Sequence, residues 1–283
     1  MYYRRRILLG IIEKSEERLF RTRLEKLLFL FCQVSKKDYY DFFPYKYGCY
    51  SFVSFQDFGK LIKDGYLRED DEGKITILKT ENFNKIKECD RSVILEIIER
   101  TRNYSLKELI NKIYEDYPFY ASKSQILEER LGKSYAEELR NKFQGSNEVY
   151  LIGKGYEGMT IDRYLRELIS EGIKLVIDVR RNPVSMKYNF NKKSLNTKLV
   201  KVGISYVHIP KLGIASVLRK QVTNKQEHMQ LLDNYEDMSL PQAENELNQI
   251  RELQRKYNRV ALLCFEKDAE LCHRTRIIRR LSE

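Results

Sequence analysis

No tryptophan occurs in this chain, and its five cysteines, Cys32, Cys49, Cys89, Cys264 and Cys272, include no Cys-x-x-Cys pair. So few thiols at such spacings exclude a disulfide scaffold and a standard zinc finger, and their expected state is reduced. Long apolar runs are also lacking. The first one, Ile7 to Ile12, ends at Glu13 after six residues, too short to span a bilayer, and no small-residue cleavage site follows it. The expectation is a cytoplasmic protein without a membrane partner. Internal repeats and low-complexity tracts are absent, and the composition is not that of a long disordered chain.

What is present is a soluble composition, 42% hydrophobic and 33% charged, with 20 Tyr and 13 Phe supplying the aromatic rings. At 283 residues the chain has room for two hydrophobic cores. The 52 basic and 41 acidic residues leave a formal charge of +11, a field that attracts phosphate-rich partners, so DNA or RNA is the first partner to consider. The clearest change of pattern falls at the polar stretch Phe143-Gln-Gly-Ser-Asn147. It predicts a mostly helical domain over residues 1–145 and an α/β domain over 146–283.

In the first half, Arg23 to Phe31 and Ser54 to Gly65 carry apolar residues at helical spacing, and Gly65 suits a helix C-cap. Tyr66 to Glu69 and Lys74 to Leu78 then flank Asp70-Asp-Glu-Gly73, a turn between two short strands. A helix feeding a hairpin is the pattern of a winged helix-turn-helix. Further helices are predicted over Arg91 to Arg102, from a capping box at Ser105-Leu-Lys-Glu108 to Tyr117, and within Ser122 to Lys142. The aromatic stretch Tyr40 to Ser51, with its Tyr47-Gly-Cys-Tyr-Ser51 core, resembles a segment of the Panacea-type antitoxin domains and related winged-helix proteins. Its rings either fill a small core or stack on bases or a protein partner.

The second half alternates. Strands are predicted at Glu148–Ile152, Lys174–Val179, Ser205–Ile209 and Arg259–Phe265. Helices are predicted over Thr160–Glu171, Ser194–Val202, Gln242–Tyr257 and Cys272–Leu281. Strands separated by helices need crossovers, which give a parallel, Rossmann-like sheet covered on both faces. Ligands bind such sheets outside the carboxyl ends of the strands.

Three strand ends carry reactive groups. Asp178 and Arg180 share a face by the period of two, and Cys264 pairs with Glu266 by the same rule. A five-residue loop then leads to Cys272-His-Arg274, where a helix start stabilises a thiolate or a bound anion. Residues Asp178, Arg180, Cys264, Glu266, Cys272, His273 and Arg274 are expected in one pocket. In a catalytic reading Cys272 is the nucleophile, His273 or Glu266 handles protons, and Asp178 and Cys264 complete the catalytic set. In a binding reading Arg180, Arg181 and Arg274 with the helix start hold a phosphate or nucleotide, and Ser185, His208 and Gly213 line the site. Zinc is the weakest reading, because Cys, a seven-residue gap and Cys-His is not a standard ligand spacing, and no metal is expected. Cys264 also reads as a small buried hydrophobe. Which cofactor is used, if any, does not follow from the residues.

Asp178-Val-Arg-Arg-Asn-Pro183, Ser185, Phe190-Asn-Lys192, Tyr206-Val-His-Ile-Pro210 with Leu212-Gly213, and Leu262-Leu-Cys-Phe-Glu266 leading into Cys272-His-Arg274 resemble the domain of unknown function family 488. The resemblance implies a compact α/β fold and an association with nucleic-acid or defence contexts, and it carries no established reaction. Where relatives commonly have Leu-Gly-Gly, this chain has Leu212-Gly-Ile214, which narrows the neighbouring loop. The resulting expectation is a nucleic-acid-associated protein whose pocket binds or processes a nucleotide-like or phosphate-bearing ligand. The alternative is a non-enzymatic DNA-binding regulator or an antitoxin-like interaction module with an anion-sensing domain.

Overall fold

The structure, a computed structural model, describes residues 1–15, 19–80, 82–143, 145–146, 148–220 and 222–282. The chain divides into two units, Met1–Phe143 and Gln144–Glu283. Of the polar stretch that separates the two patterns in the sequence, Gln144 and Asn147 lie outside the described residues.

The first unit contains helices α1 (Tyr3–Lys14), α2 (Arg21–Ser35), α3 (Phe52–Lys63), α4 (Glu88–Thr101), α5 (Leu106–Asp116), α6 (Pro118–Ala121), α7 (Leu127–Leu131) and α8 (Lys133–Phe143). Two antiparallel hairpins accompany them, β1 (Phe43–Tyr45) with β2 (Gly48–Tyr50) and β3 (Leu67–Glu69) with β4 (Ile75–Ile77). Helix α3 starts where the Ser51 hydroxyl accepts a bond from the Ser54 amide, and it ends before Gly65, whose φ is +69°. Helix α5 carries the predicted reciprocal box, with Ser105 accepting from the Glu108 amide and Glu108 accepting from the Ser105 amide.

Apolar α1, read in the sequence only as too short for a membrane span, packs with α2 in the core of this unit. No helix among the described residues is long and apolar enough to cross a membrane. The aromatic stretch forms the first hairpin, and Tyr40, Phe42, Phe43 and Cys49 are buried there. Three of its six rings are thus buried, Tyr45 and Tyr50 are half-buried, and Tyr47 stays exposed.

Two buried carboxylates are fully engaged in this unit. Asp57 accepts from Arg4 at 2.6 Å, Arg5 at 2.7 Å and Tyr40 at 3.1 Å. Asp90 accepts from Lys37 at 2.6 Å, Tyr39 at 2.8 Å and Tyr3 at 2.9 Å. Such multiple donation offsets the cost of burying a charge.

The second unit is the α/β domain that the alternating pattern predicts. Its strands β5 (Tyr150–Gly155), β6 (Leu175–Asp178), β7 (Ser205–His208) and β8 (Arg259–Cys264) form an all-parallel sheet in the order β5-β8-β6-β7. Helices α9 (Ile161–Ser170), α10 (Lys192–Lys201), α11 (Ser216–Lys220), α12 (Lys225–Asn234), α13 (Glu244–Tyr257) and α14 (His273–Ser282) connect and follow them. The last strand in sequence is thus inserted between the first two, which suits its nearly unbroken run of buried residues. Polar caps fix two helix starts beside the strand ends: Thr160 accepts from the Arg163 amide and Asn191 from the Ser194 amide.

Register decides which side chains share a face. Asp178 pairs with Leu263 and with His208, and Ile177 pairs with Leu262. Leu175, Ile177, Val179, Val260 and Leu262 pack in one core with Ile250 of α13 and Ile277 of α14. By alternation Asp178 faces away from that layer, whereas Cys264 faces into it.

Candidate functional site

All four strand ends contribute polar groups, and the sheet sorts them into two clusters. The seven residues expected in one pocket are divided between its faces.

The first cluster is built on Asp178. Its carboxylate receives the Arg180 fork, Nε to Oδ1 at 2.8 Å and Nη2 to Oδ2 at 2.6 Å, and both residues are buried. Tyr206 on β7 donates to Oδ2 at 2.6 Å. Arg180 Nη1 reaches the Tyr156 hydroxyl at 2.8 Å and the Phe190 carbonyl at 2.9 Å. Tyr156 stacks on Phe190, with ring centroids 4.2 Å apart and planes 7° from parallel. Burial alone would weaken the Arg180 charge, but Asp178 reverses that and raises its pKa further. The Tyr206 hydroxyl is also held protonated, by burial first and then by the adjacent carboxylate. With each end of its guanidinium spoken for, Arg180 locks the strand-end loop.

His208 sits beside this cluster. The Lys192 ammonium, 3.3 Å from Nδ1, has only hydrogens to offer, so Nδ1 accepts and Nε2 donates to the Arg180 carbonyl at 2.9 Å. Gly213 lies against the same loop: a Cβ there would stand 2.0 Å from the Arg181 nitrogen and 2.5 Å from its Cα. The Leu212-Gly213 signature is thereby explained as a close backbone approach.

Next to the fork is a cavity of about 300 Å³ lined by Arg180, Arg181, Lys187, Tyr156 and Phe265, with Ser185, Asn182 and Ser216 among its polar groups. Ile214 borders it too, and its side chain shapes this wall. Arg181 bonds weakly to the Pro210 carbonyl at 3.5 Å, and Lys187 donates to the Tyr156 carbonyl at 3.0 Å. Burial lowers the Lys187 pKa.

The second cluster lies on the α14 side. Cys264 Sγ is 2.8 Å and Cys272 Sγ 3.2 Å from the same Glu266 oxygen, Oε2. The His273 Nδ1 stands 3.6 Å from Cys264 Sγ and 3.8 Å from Cys272 Sγ. On its other edge, His273 Nε2 is 3.1 Å from the Val179 carbonyl, which can only accept, so Nε2 carries a proton and Nδ1 is the ring nitrogen that faces the sulfurs. Both thiols and the imidazole are buried, and Glu266 is half-buried. The two sulfurs share one ionisation: Cys264 is drawn well below a free thiol, first by a hydrogen bond from Cys272 and then by His273, whereas burial and its anionic neighbours push Cys272 up.

Arg274 borders this cluster and is 1% exposed. Among the described residues its Nε and Nη1 have no hydrogen-bond partner, and Nη2 reaches only the Lys267 carbonyl at 3.4 Å. Glycines on β5 make room for it, since a Cβ at Gly153 would lie 2.8 Å from Arg274 Nε. Two further arginines of α14 are occupied elsewhere: Arg276 pairs with Asp233 and Glu236, and Arg279 with Glu236.

Sequence reasoning passed over Tyr156, Tyr206 and Lys187. Tyr206 had a signal, because it alternates with His208 on one strand, and Tyr156 is the first residue past β5. Lys187 had none.

No curated protein and no solved structure matches the chain significantly. Residues 160–281 match the family model described as "Domain of unknown function DUF488", a span that holds every residue of both clusters except Tyr156. The C-terminal half of this protein therefore carries a domain of the DUF488 family.

Proposed function

We propose that the C-terminal unit binds a nucleotide-like or phosphate-bearing ligand in the cavity beside the Asp178–Arg180 fork, and that the protein works in association with nucleic acid. One observation carries the reading. Arg181 and Lys187 stand at a cavity of about 300 Å³ outside the strand ends, and among the described residues neither is held in a salt bridge, Glu157 acting on Lys187 only at longer range. Two cations held at a concave site with hydroxyl and amide donors are matched by a phosphate. The rings of Tyr156 and Phe265 add a flat apolar wall for a base or sugar. Arg180 acts as a positioning residue, since its own donors are spent on Asp178, Tyr156 and Phe190.

The N-terminal unit is the natural nucleic-acid module in this reading. Its α3 feeds the β3–β4 hairpin as in a winged helix, and Phe55, Lys60 and Lys63 lie on the exposed side of α3. The formal charge of +11 supports the same partner class.

Calorimetric titration with nucleoside monophosphates and a short oligonucleotide tests the cavity. Arg181→Ala and Lys187→Ala should each weaken binding about tenfold, or about 1.4 kcal/mol. A double variant that binds as tightly as the parent removes the reading. Binding without turnover would favour an anion-sensing regulator over an enzyme.

A further inference from the structure

Cys264, Glu266, Cys272 and His273 bring four ligand atoms within 4.8 Å of one another. We propose that they form a binding site for a zinc-class divalent metal ion. The geometry carries this. Tetrahedral coordination with bonds of roughly 2.3 Å to sulfur and 2.0 Å to nitrogen or oxygen sets ligand atoms roughly 3.3–3.8 Å apart. The two sulfur-to-Nδ1 separations, 3.6 and 3.8 Å, already meet that requirement. Of the two sulfur-to-carboxylate separations, the one at 3.2 Å needs to open by about 0.3 Å and the one at 2.8 Å by about 0.7 Å, a shift within reach of the rotatable Glu266 side chain.

The surroundings fit a metal as well. The Val179 carbonyl accepts a hydrogen bond from His273 Nε2, which orients the ring with Nδ1 toward the sulfurs, the usual arrangement behind a metal-bound histidine. Two thiolates and a carboxylate around a divalent ion leave one negative charge, and the buried Arg274 guanidinium, with two donors unpaired among the described residues, acts on Cys272 and balances that charge. Thiolate and imidazole donors select zinc or cobalt over magnesium or calcium, which prefer all-oxygen sites. The ligand spacing escapes the usual motifs because the pairs are not made by one loop. Cys264 and Glu266 alternate at the end of β8, and Cys272 and His273 stand at the first turn of α14.

The test is cobalt titration of the metal-stripped full-length chain, read by thiolate-to-cobalt charge-transfer absorption, together with zinc analysis of protein purified without chelators. The expected result is about one ion per chain with a charge-transfer band. Cys272→Ser and His273→Ala should each lose more than about 100-fold in affinity, and Glu266→Gln about tenfold. Cys89→Ser, which removes an exposed thiol elsewhere, should bind like the parent. Absence of the charge-transfer band in the parent overturns the proposal. So does parental affinity in Glu266→Gln, a variant that keeps the side chain's shape and serves where Cys272→Ser fails to fold by circular dichroism. Arg181→Ala should leave the cobalt signal unchanged, so failure here is distinguishable from failure of the ligand cavity.

Discussion

At the scale of single residues, the second unit depends on atoms that leave no room for substitution. Gly213 is the sharpest case. Its φ of −91° suits any residue, so the requirement for glycine is one of space, and an alanine methyl would meet the Arg181 backbone at 2.0 Å. Gly213→Ala should destabilise the unit by about 1–3 kcal/mol, the range for overpacking a filled site, with a lower urea midpoint in far-ultraviolet circular dichroism. An unchanged midpoint would show that the loop yields without cost. Asp178 and Arg180 were legible in the sequence as a pair on one face because their spacing matches the strand period. The phenols that complete their bonding came from other strands, and no local pattern ties Tyr156 to Arg180 across 24 positions.

At the scale of elements, helices and strands followed from period and caps. The capping box at Ser105, the hairpin around Asp70–Gly73 and the alternation of the second half are all realised close to the predicted bounds. The hairpin Phe43–Tyr50 was not read, because aromatic density hid its alternation. Helix α4 owes its docking to Asp90, which receives Lys37, Tyr39 and Tyr3 from outside the helix. Burial opposes ionisation of Asp90, but those three donors outweigh it and hold the carboxyl below the usual range. A folded-state pKa below the unfolded value of about 3.9 gives stability that is fully present above that value and lost as pH falls through the folded one. Asp90→Asn should therefore cost about 1.5–3 kcal/mol at neutral pH. Its stability should then fall less steeply than the parent's below about pH 4. Parallel acid limbs in the two urea series would remove Asp90 from that account.

At the scale of the whole molecule, net charge bears on the proposed partner class. Under the proposed association with nucleic acid, a formal charge of +11 makes phosphate neutralisation the expected basis of binding. Contacts to about six phosphates would weaken duplex binding about 1,000-fold between about 50 and 200 mM salt. A fluorescence-anisotropy titration whose affinity ignores salt would rule that basis out. Composition, strand period and helix caps, all properties of neighbouring residues, were enough to determine the two-part organisation, the parallel α/β class and the strand-end placement of reactive groups. Only the tertiary structure decided how those groups divide. Strand order and register are set by packing between distant segments, and the pairing of Asp178 with Leu263 turns Asp178 to one face and Cys264 to the other. That single offset separates an arginine-lined cavity from a convergent set of thiol, carboxylate and imidazole ligands.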